Sequence, residues 1–99
     1  MTDANLQAAN LSDTVLRDAY LNRANLEGAN LSNSDPINAS VSYANLINAD
    51  LSGANLQGAD LQGADLTDAN LYGAQGVIEG TEYVRSLEGA TMPDGSKHR

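Results

Sequence analysis

The stretch ANLQGADLQGADLTDANLYG, residues 54–73, repeats one five-residue phrase four times: Ala, then Asn or Asp, then Leu, then two further residues. A period of five suits neither regular element. On an α-helix each residue advances about 100°, so a Leu at every fifth position moves about 140° per step and never forms a stripe. On a straight strand side chains alternate faces, so leucines at odd spacing point to opposite sides. The period does suit a chain that turns a corner after each short segment, with the Ala and Leu of every segment pointing inward together. Each turn of such a coil is covered only by the turns above and below it, which makes the chain a solenoid.

The register runs from Ala4 to Ile78 without insertion, as fifteen consecutive units. The central slot holds Leu6, Leu11, Leu16, Leu21, Leu26, Leu31, Pro36, Val41, Leu46, Leu51, Leu56, Leu61, Leu66, Leu71 and Gly76. Two residues earlier stands Ala, except at Thr14 and Ser34, small enough to bring successive backbones together while Leu fills the centre. The slot between is Asn or Asp in eleven units, residue types that bond to local backbone and accept turn conformations. The last two slots are polar or Gly, as solvent-facing turns require. Composition alone argues the other way, because Ile, Leu, Val and Phe supply only 20 of 99 residues and the net charge is −8, the border of disorder. Periodicity overrules it.

On these fifteen units of Ala-(Asn/Asp)-Leu-x-x, covering about three quarters of the chain, the sequence resembles the pentapeptide repeat proteins. The resemblance implies an all-β fold, a right-handed quadrilateral parallel β-helix with four units per coil and about four coils. Residues twenty apart then stack, and with coils about 4.8 Å apart the repeat is roughly 18 Å tall. The expected organisation is a lead at 1–3, the β-helix at 4–78, a C-terminal cap at 79–95 and a tail at 96–99. Within the cap, EGTEYVRSLEG reads as a short helix starting at Thr81, with Tyr83, Val84 and Leu87 at helical spacing and Gly89 as its stop. ATMPDG then restores the repeat, with Ala90 and Met92 inward and the frame moved by one residue. The N-terminal coil has no such cap and is expected either to fray or to be buried against a second copy.

Departures from the motif gather once the units are divided among four sides. Units 14–18, 34–38 and 74–78 share one face, and AYLNR and ASVSY, at 19–23 and 39–43, share the next. Val15, Ile37, Val77 and Ile78 are expected outside on one wall, with Arg17 beside them and Tyr20 and Tyr43 on the neighbouring wall. This is the candidate interaction surface. A plainer reading makes the departures local repairs, with Thr14 and Ser34 exchanging hydroxyl bonds inside, Pro36 at a corner, and Val77 and Ile78 under the lid.

Several functions are excluded from expectation. There is no Cys, and His98 is the sole His, in the tail, so neither thiolate chemistry nor a His-based nucleophile assembles. No catalytic residue, metal site or cofactor is expected, nor direct nucleic-acid binding, since five Lys and Arg form no patch. No leader or membrane-length apolar run is present, which places the chain in the cytoplasm by expectation. What remains is a non-enzymatic protein-interaction module, whose partner is a protein of unknown identity or a second copy joined through the N-terminal coil. The alternative follows from the resemblance, since some longer members are acidic DNA mimics that bind DNA gyrase. Between Ala4 and Ile78 eight acids face two Arg, and acids on polar slots also serve plain solubility.

Overall fold

Five residues make one side because Leu-x-x-Ala closes a β-turn: Ala9 donates its N–H to the carbonyl of Leu6 at 3.0 Å, and the same bond recurs along the repeat. The last residue of each unit carries the turn. At five-residue intervals from Asp3 to Gly73 it has φ between 56° and 73°, the left-handed value that a type II turn needs at its third position. Asp3 therefore already stands in a corner, ahead of the first full unit.

The computed structural model describes residues 2–76 and 84–97. Parallel bridges join Asn/Asp slots twenty residues apart through most of the repeat, and they fall into four columns. The first face stacks Asn5, Asn25, Asn45 and Asp65; the second Asn10, Asn30, Asp50 and Asn70; the third Val15 on Asp35 and Asn55 on Gln75; the fourth Tyr20, Ser40 and Asp60. Both partners of a bridge are used in the same way each time. Leu6 donates to the carbonyl of Asn25 at 2.7 Å, and Asn25 donates back to that of Ala4 at 2.8 Å. The chain is thus a β-helix of very short strands, its backbone polar groups paired from coil to coil.

The core is the axis. The Leu-slot residues from Leu16 to Leu71, Val41 and Pro36 among them, are buried, and so is nearly every Ala of the wall from Ala24 to Ala74, Ala59 alone remaining half-buried. Leu6 and Leu11 are only half-buried. An axial void of about 10 Å³ is lined by the slot residues from Leu16 to Leu61, among them Pro36 and Val41, whose side chains are smaller than Leu.

Pro36 occupies this inward slot, so it does not mark a corner. Its missing N–H leaves the carbonyl of Asn55 without the strand bond found elsewhere, and the third face has no bridge from Asp35 to Asn55. Thr14 and Ser34 do not exchange hydroxyl bonds either. The Thr14 hydroxyl donates to the carbonyl of Leu11 at 2.6 Å, closing its own turn, and the buried Ser34 hydroxyl has no partner.

The expected helix begins at Thr81, outside the described residues, as do Tyr83, Val77 and Ile78. From Val84 onward no described residue is helical. Ser86-Leu87-Glu88-Gly89 instead follows the repeat's own grammar: Ser86 bridges Asp65, Leu87 is buried in the central slot, and Gly89 takes the corner at φ 75°. Spacing of three between Val84 and Leu87 suits a helix and a coil alike, and the coil offers Leu87 an existing core. Opposite Asp65 stand two residues, Arg85 donating to Ala64 and Ser86 accepting from Leu66. This β-bulge accommodates the one-residue shift, which persists in the bridge from Asn70 to Thr91. Ala90 is fully buried and Met92 half-buried, and Lys97, expected in the tail, pairs antiparallel with Thr91.

Candidate interaction surface

Outward-facing Asn and Asp brace the corners that follow them. Asn10 Oδ1 accepts the N–H of Ser12 at 3.1 Å and its hydroxyl at 2.7 Å, and Asn30 with Ser32 and Asp50 with Ser52 repeat the arrangement one and two coils on. Every unit of the first two faces from Asn5 to Asn70 has such a brace to the backbone N–H two residues on. Between Ala4 and Gly73 the units without one stand together on the third and fourth faces, at Val15, Asp35, Tyr20 and Ser40.

Val15 and Tyr20 fill the Asn/Asp slot of successive sides, so their side chains project outward, 74% and 69% exposed. Arg17 stands on the corner between them. Its Nε donates to Asp35 Oδ2, one coil above, at 2.8 Å. Tyr43, 59% exposed, occupies a corner above Arg23, and its ring lies where a Cβ on Gly63, one coil further, would have to go. Gln62 donates to the Tyr43 hydroxyl at 3.4 Å. Arg23 reaches Asp3 with Nε and Nη2, and the Asp3 bond and charge raise its pKa further above the ordinary guanidinium value. Asn22 ties the fourth face together, donating to Ser40 at 2.7 Å and Ser42 at 2.6 Å.

Ile37 is half-buried, and Val77 and Ile78 lie outside the described residues. Tyr72, 60% exposed, went unmarked in the sequence because it fills an ordinary solvent slot in a regular unit. It stands between the second and third faces, beside Gly95, away from Val15 and Tyr20. Among the described residues no three of His, Cys, Asp and Glu gather as metal ligands, and no helix is long and apolar enough to cross a membrane.

The description "Pentapeptide repeats" matches residues 1–35 and 38–75, in eight copies. No curated protein matches the chain. Among solved structures it is similar to HetL, a pentapeptide repeat protein involved in heterocyst differentiation regulation from the cyanobacterium Nostoc sp. strain PCC 7120, at 29% identity and a TM-score of 0.37. That match covers 99% of this chain and 65% of HetL, so the chain spans less than two thirds of its length. A second pentapeptide repeat protein from Nostoc PCC 7120 is 36% identical over 70% of this chain and 67% of its own, with a TM-score of 0.33. QnrB1, a plasmid-mediated fluoroquinolone resistance protein, is 17% identical over 74% of this chain and 53% of its own, with a TM-score of 0.33.

Proposed function

The chain belongs to the pentapeptide repeat family, whose members form right-handed β-helices, and from that premise we propose that it acts without catalysis, as a rigid column of about four coils presenting one wall to a protein partner in the cytoplasm. The observation that carries this reading is the exposure of Val15, Tyr20 and Tyr43 on adjoining sides of a surface whose other outward slots are almost all polar. Tyr and Arg recur where proteins bind one another, and here a backbone fixed by coil-to-coil bonds holds them in place. A photoreactive side chain at residue 20 tests it in extract of the host cell. A discrete crosslinked protein, absent when the same group stands at Ser32 on the second face, supports the wall; equal capture at both positions overturns it.

A second copy on the N-terminal coil is one form of partner, favoured by the half-buried Leu6 and Leu11. The second reading, an acidic mimic of DNA directed at gyrase or another DNA-processing enzyme, is favoured by the net charge of −8. Size opposes it, since the molecule measures 30 × 23 × 21 Å and one turn of B-DNA is about 34 Å long. Binding to gyrase that falls steeply with salt supports the mimic; failure to bind at low salt removes it.

A further inference from the structure

Ten of the eleven Asn and Asp residues in the bridge slot accept the backbone N–H two residues on, at 3.0 to 3.3 Å. Asp35 is the exception. Its Oδ2 is taken by Arg17, its Oδ1 is buried without a partner, and no described residue accepts from the N–H of Ile37, where the brace belongs. The strand here has one bond fewer than its neighbours, because Pro36 has no N–H to donate to the carbonyl of Asn55. Asp35 thus has two possible uses, and here it makes the contact to Arg17 and not the turn bond.

The two Arg residues of the repeat differ in what they have free. Arg23 engages Asp3 through both Nε and Nη2, whereas Arg17 engages Asp35 through Nε alone. A guanidinium has five donors, and the Nη pair makes the end-on fork that matches a carboxylate. The Arg17 side chain is 61% exposed and stands between Val15 and Tyr20.

We propose that Arg17 receives a carboxylate from the partner between Val15 and Tyr20, and that Asp35, released from Arg17, swings to accept the N–H of Ile37. The inference rests on reading this wall as a partner surface. It commits to one occupant, a peptide segment with a single carboxylate flanked by apolar side chains. The single charge follows from the net −8 of the chain, which repels a run of acids, and the apolar flanks from Val15 and Tyr20. Losing Asp35 as a partner leaves no stranded carboxylate, because the unmade turn bond is waiting for it. Binding then stiffens the corner 37–38.

The coupling is read first without any partner, by hydrogen exchange of the Ile37 amide. In Arg17→Ala the freed Asp35 slows that exchange about fivefold, the size expected of one hydrogen bond, and Asp35→Asn slows it likewise, while Asp35→Ala does not. Unchanged or faster exchange in Arg17→Ala overturns the coupling. Docking is read separately, with acetyl-leucyl-valine as the free acid and as its amide. Shifts at Val15, Arg17, Tyr20 and the Ile37 amide with the acid, abolished in Arg17→Ala, support it. Equal shifts with the amide, or shifts only on other faces, overturn it. Because exchange at Ile37 needs no partner, failure of the coupling is distinguished from failure of the crosslink at residue 20.

Discussion

Leu at the axis and Ala at the wall answer one steric requirement together, and the coil with smaller axial residues shows what happens when the arrangement is incomplete. Leu46 is 1% exposed with coils on both sides, so Leu46→Ala is expected to cost about 2 to 5 kcal/mol. Leu11, half-buried in the first coil, is expected to cost less than half as much, and equal losses in denaturant titrations would contradict an axial core. Pro36→Leu is expected to stabilise the fold by about 1 to 2 kcal/mol, since it fills the void and gives Asn55 its missing donor; a lower denaturation midpoint would show that the third face needs the proline. The inward slots were legible because each carries one residue type at one interval. The state of Ser34 and Pro36 was not, because a sequence marks a departure without saying which bond is lost.

Corners are the elements of this fold, and their tolerance is set by what lies one coil away. A Cβ on Gly28 meets nothing within 4 Å, whereas one on Gly63 runs into the Tyr43 ring and one on Gly76 falls 2.7 Å from the Cα of Gln57. All three have positive φ. Gly28→Ala is therefore expected to cost about 1 to 2 kcal/mol from backbone strain alone, and Gly76→Ala about 3 kcal/mol or more, because backbone cannot step aside. Gly63→Ala falls between them and is relieved by Tyr43→Ser, since a ring can move; a double-mutant cycle without coupling would remove the ring from the account. The C-terminal turn adds a pH test. Asp94 accepts the N–H of Ser96 at 2.9 Å and its hydroxyl at 2.6 Å, bonds that hold its pKa below the ordinary carboxylate value. A lowered folded pKa means that the turn is fully braced above the ordinary value and loosens as pH falls through the lowered one. The Ser96 amide shift is expected to titrate below the usual Asp range and to stay flat in Asp94→Asn. Legibility fails at this scale for a physical reason: Val84 and Leu87 fit a helix as well as a coil, and only the neighbouring coil decides.

At the scale of the molecule, charge and packing pull in opposite directions. Among the described residues two ion pairs form, the other acids being unpaired with any described Arg or Lys, and both pairs reach the surface, where such contacts contribute at most about 1 kcal/mol. A chain of net charge −8 therefore resists its own compaction, and the coil-to-coil bonds and axial core hold it against that field. Salt should act on this balance with a definite sign. Raising NaCl from about 0.02 to about 0.5 M screens the repulsion more than it weakens the exposed pairs, so the folded state is expected to gain roughly 1 kcal/mol at pH 7, seen as a higher thermal midpoint. The same change has a different effect on association according to what the surface is for. A partner held by Val15 and Tyr20 with one Arg17 contact loses little affinity across that range, while an enzyme held by the acidic field loses most of it. Measuring folding and binding over one salt series thus separates the two functional readings, because a fall in affinity cannot then be blamed on a destabilised fold. A thermal midpoint that drops with salt would instead mean that Asp3–Arg23 and Arg17–Asp35 carry far more of the stability than surface pairs ordinarily do.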